Sequence, residues 1–171
     1  KLPADIGVHM PDVEEHGLTF KENALLKAKA LAAASGQWAL ADDSGLEVEI
    51  LGGAPGIRSA RFAGEGASDE ANLRKLLRVL RSARKRHAKF RCVLALVKPT
   101  GEALTAEGVL EGVIVSTPQG EGGFGYDPLM HIPALGQTVA SLGAEVKNRH
   151  SHRALAAVHL IQQFREVWRL G

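Results

Sequence analysis

Two adjacent carboxylates, Asp42 and Asp43, interrupt what would otherwise be one long strand-like run in the stretch WALADDSGLEVEIL, residues 38–51. Neighbouring like charges repel, so a chain leaves such a pair in water or sets something positive against it. The pair therefore divides the stretch. Residues 38–42 read as a short buried strand, LEVEIL over 46–51 alternates as a half-exposed strand, and an acidic turn separates them. A fold built around this feature must either expose the turn or supply a cation to it.

The remaining pattern is that of one α/β domain over residues 1–171, with helices and strands around a mixed sheet. Thr19 followed by Glu22 is a capping-box signature and Gly36 a left-handed stop, which predicts a helix over about 20–35. Ser68 caps a second helix with leucines at 73, 76, 77 and 80 on one stripe. FRCVLALVK (90–98) reads as a strand buried on both faces, PTGE as a turn, and 103–107 and 109–115 as further strands. Ser151 is expected to cap a last helix with Ala154, Ala157, Val158, Ile161, Phe164 and Trp168 on one side. Between these lie two long glycine-rich segments, GGAPGIRSARFAGEG and STPQGEGGFGYDP. Loops of that length in a compact domain are where function concentrates.

Charge and composition exclude several classes. The net charge is +2, too mild for a dedicated nucleic-acid binder, and no stable nucleic-acid complex is expected. The one basic concentration, LRKLLRVLRSARKRHAK (73–89), reads as the solvated face of the leucine-striped helix. No run of eighteen apolar residues and no leader pattern is visible, which predicts no membrane span and a cytoplasmic protein. Cys92 is alone and reads as a buried reduced thiol.

Three clusters could carry chemistry. Glu14 and Glu15, with Asp42 and Asp43, offer the few carboxylate oxygens that a hard cation such as Mg²⁺ takes while sharing its shell with phosphates and water. Acidity alone does not separate that from a solvated turn. KNRHSHR gathers Lys147, Arg149, His150, His152 and Arg153 at an expected helix N-terminus, where cations oppose the macrodipole unless a ligand compensates. In GGFGYDP, glycines deliver Phe124 and Tyr126; a ring on such a loop can stack on a base or simply fill the core.

EEHGLTFKENALLKAKA (14–30), ADDSGLEVEILGGAPGIRSARFAG (41–64), GGFGYDP (122–128) and KNRHSHR (147–153), in this order, resemble the Ham1-like family of nucleoside triphosphate pyrophosphatases. The resemblance implies an elongated, twisted mixed sheet flanked by helices, with the active site in a cleft between two lobes. It implies Mg²⁺-dependent hydrolysis of aberrant purine nucleoside triphosphates, ITP, dITP or XTP, to a monophosphate and pyrophosphate. By the same resemblance Asp43 is the catalytic carboxylate, and Glu14 with Asp43 holds the metal. Ser44 touches substrate. Phe124, Gly125, Tyr126 and Asp127 line the base pocket, and Lys147, His152 and Arg153 donate to the base. A homodimer is implied as well. The family's initial Thr/Ser-Gly-Asn-x-x-Lys loop has no counterpart here, from which a longer native protein and weakened triphosphate affinity are expected.

Overall fold

The computed structural model describes residue 13 and residues 16–168. In chain order the main elements are α1 (Phe20–Ser35), β1 (Ala39–Val48), α2 (Asp69–Val79), β2 (His87–Val97), β3 (Ala103–Ile114), β4 (Met130–Ile132), β5 (Gln137–Thr138), α3 (Ala144–His150) and α4 (His152–Val167). The strands form one sheet in the order β1-β2-β3-β4-β5. Among the described residues the sheet is antiparallel, where a mixed one was expected. Short connections account for much of this. Lys98 N–H donates to Glu102 O at 2.9 Å to close the β2–β3 turn, and β3 to β5 follow as a meander.

α1 starts and stops where the sequence says. Thr19 Oγ1 accepts from Glu22 N–H at 3.1 Å, while Glu22 Oε2 accepts from Leu18 N–H at 2.6 Å, one residue earlier than the usual reciprocal bond. Gly36, at φ 64°, donates its N–H to Ala32 O and ends the helix. Phe20, Ala24, Ala28 and Ala32, each four residues apart, are its buried stripe.

Packing divides the chain into two compact units. The first comprises the described part of Lys1–Asp43 with Cys92–Gly108 and Arg153–Gly171. Its buried residues are mostly small, including Ala28, Ala39, Cys92, Ala95, Ala106 and Ala156. At its surface Trp38 meets Phe164 and Trp168 edge-on, with ring centroids 6.0 and 5.2 Å away, and Lys98 Nζ lies 4.3 Å from the Trp168 ring centroid. The second unit, Ser44–Arg91 with Val109–His152, packs Leu46, Val48, Leu76, Leu80, Phe90, Ile114, Leu129 and Met130 as its core. Leu76 and Leu80 of the predicted stripe are fully buried, with Leu73 and Leu77 packed against them.

Five expectations change. β1 runs unbroken through Asp42 and Asp43, so the acidic turn does not exist. Residues 103–114 form one strand instead of two. β4 and β5 are additional. KNRHSHR spans two helices: Lys147, Arg149 and His150 occupy the last turn of α3, where the dipole favours cations, and only His152 and Arg153 begin α4. The face of α4 also differs, since Ala156 and Leu160 are buried while Val158 and Ile161 are exposed. Apolar and polar residues are poorly segregated around that helix, so periodicity does not choose a side.

The basic stretch over 73–89 presents Arg78, Arg81, Arg84 and Lys85 to solvent, as expected, and engages other cations within its own unit. Lys75 donates to Phe62 O, Arg86 caps the end of the α2 segment through Leu80 O and Ala83 O, and Lys89 pairs with Glu47. No helix of the described residues is long and apolar enough to cross a membrane.

Candidate functional site

The strand pleat places Asp42 and Asp43 on opposite sides of β1, and each finds its own cation. Asp43 accepts from Lys27 Nζ at 3.1 Å and from Asn23 Nδ2 at 3.3 Å. Its side chain is 11% exposed and that of Lys27 is 20% exposed, so water screens this pair poorly. Asn23 is fully buried, and its other end, Oδ1, accepts from Gly17 N–H at 2.9 Å. The amide thus fixes the chain ahead of α1 and the Asp43 carboxylate together. Asp42 instead accepts from Arg153 Nε at 3.2 Å, with both side chains more than 40% exposed. Such a pair is worth about 1 kcal/mol or less.

Cys92 lies close enough to feel this set. Burial raises its thiol to about 12, with the Asp42 charge adding to the rise and Arg153 opposing it. It is an inert core thiol, as the sequence implied.

In the second unit the GGFGYDP loop is tied down residue by residue. Asp127, nearly fully buried, accepts Phe124 N–H at 3.2 Å and Lys147 Nζ at 2.6 Å through one oxygen, Oδ2. Gly125 N–H donates to Asp69 Oδ2 at 2.7 Å. Tyr126 is buried and its hydroxyl donates to Ser59 O at 2.7 Å. Burial, and secondarily the Asp69 charge, raise that phenol above its ordinary value, so it remains a donor. What the loop leaves outside is the Phe124 ring, 56% exposed, with Lys147 Nζ 5.3 Å from its centroid. An exposed aromatic face beside an ammonium, on a backbone held at three points, could accept a planar, oxygen-bearing ring.

The structure therefore brings Phe124, Gly125, Tyr126, Asp127 and Lys147 together. His152 is buried and stacked on Phe90, with ring centroids 5.0 Å apart. Arg153 keeps company with Asp42. Ser44 follows Asp43 in β1 and is half-buried. Glu14 lies outside the described residues. Asn23, Lys27 and Asp69 were missed by sequence reasoning: Asn23 and Lys27 looked like ordinary helix residues, and Asp69 like a first-turn acid.

Among the described residues no group of three or more His, Cys, Asp or Glu side chains could hold a metal by itself. The donors present do suit Mg²⁺, which binds through one or two carboxylates and completes its shell with phosphate oxygens and water. Asp43, a carboxylate set in place by Lys27 and Asn23, is of the type that could serve as one such ligand.

The structure thus shows an α/β fold with an antiparallel sheet, a braced carboxylate and an exposed aromatic ring beside an ammonium, and known proteins give the class to which it belongs. The sequence pattern of the Ham1 family matches residues 2–163, and the chain belongs to that family. It is 51% identical over 158 residues to the dITP/XTP pyrophosphatase of Syntrophobacter fumaroxidans, covering 92% of this chain and 68% of that one. To the dITP/XTP pyrophosphatase of Thermus thermophilus it is 49% identical over 164 residues, 95% of this chain and 78% of that one. Among solved structures, the Ham1 protein of Staphylococcus aureus superposes with a TM-score of 0.86 at 48% identity, over 93% of this chain and 82% of that one. A HAM1 protein from Coxiella burnetii gives 0.86 at 42% identity, over 92% and 82% respectively.

Proposed function

We propose that this chain is a dITP/XTP pyrophosphatase working as one domain, which hydrolyses aberrant purine nucleoside triphosphates to the monophosphate and pyrophosphate. The observation that carries the reading is the exposed Phe124 ring with the Lys147 ammonium beside it, on a loop fixed through Asp69, Asp127 and Ser59. Membership of the Ham1 family supports it independently.

In this reading Phe124 stacks on the purine and Lys147 faces the six-position oxygen of hypoxanthine or xanthine. Adenine presents an amino donor there, and two donors confronting each other in a dry pocket are both left unsatisfied, which discriminates strongly. His152 and Arg153 are assigned to the same edge of the base; for Arg153 this means exchanging Asp42 for the nucleotide. Gly125, Tyr126 and Asp127 shape the pocket wall, with the Asp127 carboxylate directed to Phe124 N–H and Lys147.

At the phosphate end Asp43 orients the attacking water and takes its proton as the oxygen bonds to the α-phosphorus and the bond to the bridging oxygen of pyrophosphate breaks. Lys27 and Asn23 hold that carboxylate in one rotamer. Ser44 contacts the substrate next to it. Mg²⁺, held by Glu14 and Asp43, would polarise the phosphoryl oxygens and offset charge on the leaving pyrophosphate. A homodimer acting on the cytoplasmic nucleotide pool completes the proposal.

The test is a substrate panel: pyrophosphate release from ITP, dITP, XTP, GTP, dTTP and UTP with Mg²⁺, repeated with EDTA. The expected result is preference for ITP, dITP and XTP, abolished by EDTA. Preference for a pyrimidine triphosphate, or turnover that survives EDTA, refutes the proposal.

A further inference from the structure

We propose that Asp69 is a positioning residue for purine recognition, holding the Phe124 ring in its stacking pose through the backbone of Gly125. The inference rests on the base-stacking role given to Phe124 above. It starts from what the cap of α2 leaves unused. Ser68 is the N-cap and its hydroxyl accepts from Ala71 N–H at 3.2 Å, so Asp69 is not needed for capping. Its neighbour Glu70 turns along the helix toward Arg74 at 3.5 Å. Asp69 turns away and reaches 56 residues along the chain to Gly125 N–H, at 2.7 Å.

The consequence follows from glycine content. Gly122, Gly123 and Gly125 flank Phe124, and Gly123 and Gly125 both sit at positive φ, 79° and 58°. A segment of this composition has wide conformational freedom, and whatever freedom persists must be lost when a base binds. Three anchors remove it beforehand. Asp127 holds the Phe124 amide, Ser59 holds the Tyr126 side chain, and Asp69 alone holds the Gly125 amide between them. With Asp69 gone, the peptide between Phe124 and Tyr126 is free to rotate, and the ring direction with it. Preorganisation of this kind appears in substrate affinity more than in the chemical step.

The experiment compares Asp69→Ala, Asp69→Asn, Glu70→Ala and Phe124→Ala by steady-state ITP hydrolysis, and measures amide hydrogen exchange over 124–126. Asp69→Ala is expected to raise KM about ten-fold, the scale of one charge-assisted hydrogen bond at an exposed position, with kcat changed less than about two-fold. Asp69→Asn, which retains an acceptor oxygen, recovers most of the loss; Glu70→Ala leaves KM unchanged. Exchange at the 124–126 amides accelerates in Asp69→Ala while α2 stays protected. In the double variant with Phe124→Ala, the Asp69 substitution adds less than it does alone. Unchanged exchange at 124–126 overturns the proposal on its own. So does an equal KM effect in Glu70→Ala, which would mark a general helix-end contribution. If Phe124→Ala itself leaves KM unaltered, the base-stacking reading is what falls.

Discussion

Replacing Gly123 by alanine tests whether the loop depends on a close approach of its backbone to the Asp127–Lys147 pair. Gly123 sits at φ 79°, where an L side chain costs about 1–2 kcal/mol. The added methyl would also press against Asp127 Oδ2 and lie 2.8 Å from Lys147 Nζ. The ammonium is the end of a flexible chain and can swing away. The carboxylate belongs to a side chain only 5% exposed and cannot. Relief therefore comes from losing one of the bonds to Asp127, and a hydrogen bond to a charged group contributes about 1.5–3 kcal/mol. Together these give a destabilisation of about 2.5–5 kcal/mol, a large share of the about 5–15 kcal/mol that holds a domain folded. Gly125 supplies the control. Its φ is 58°, yet nothing lies within 4 Å of a Cβ built there, so Gly125→Ala should lose only about 1–2 kcal/mol. Urea denaturation of both variants, followed by circular dichroism, reads the difference directly. If the two lie within about 0.5 kcal/mol of each other, a value below the smallest of these contributions, the close-approach argument is wrong.

Other substitutions probe separate parts. Asp43→Asn should lower ITP turnover by about 100-fold or more, as expected on removing a general base, while unfolding free energy falls by about 1.5–3 kcal/mol because the charge-assisted Lys27–Asp43 bond is weakened; retained turnover would remove Asp43 from the chemistry. Asn23→Ala should cost about 1–3 kcal/mol, since it leaves Gly17 N–H and the Asp43 carboxylate each short of a bond inside the fold, and a denaturation midpoint equal to the parent would contradict that. The Cys92 thiol makes alkaline pH destabilising. It is protonated in the fold up to about 12 but ionises from its ordinary 9.0 in the unfolded chain, so unfolding releases a proton and stability falls as pH rises from 9 toward 12. The slope from this group approaches about 1.4 kcal/mol per pH unit. Denaturation of the parent and of Cys92→Ala across pH 8–10.5 should show a shallower decline in the variant; identical slopes would exclude this origin.

Local signals in the chain were legible where the physics is local. Thr19, Gly36 and Ser68 define helix ends through bonds that span four residues or fewer, and all three ends are where the sequence puts them. The leucine stripe of α2 was readable because its polar face is strongly charged. The α4 stripe was not, because apolar and polar residues are poorly segregated around that helix and only its neighbours decide that Ala156 and Leu160 go inside. β4 and β5, three and two residues long, carry no periodic signal at all; β4 exists because Val113 and Ile114 of β3 offer a register to His131 and Met130. The KNRHSHR cluster misled for a related reason. A helix boundary at Ser151 was correctly placed, but a second helix ending there was not visible, and it reverses the sign of the dipole argument for Lys147, Arg149 and His150.

The acidic pair shows the same limit most sharply. One-dimensional reasoning treats adjacent carboxylates as a single repulsive unit and asks for one counter-charge. In an extended strand, neighbouring side chains leave opposite faces, so the two charges are solvated and paired independently. Lys27, sixteen residues earlier, and Arg153, 111 residues later, are assigned by the fold to Asp43 and Asp42 respectively. The two pairs also differ in what they can do. Arg153 with Asp42 is an exposed contact of little energetic weight, readily exchanged for a ligand. Lys27 with Asp43 is partly buried and braced by Asn23, so moving that carboxylate disturbs α1 as well. The role of catalytic base proposed for Asp43 would benefit from the second arrangement: its rotamer is set before substrate arrives, and the freedom that would be lost on binding has been removed by folding.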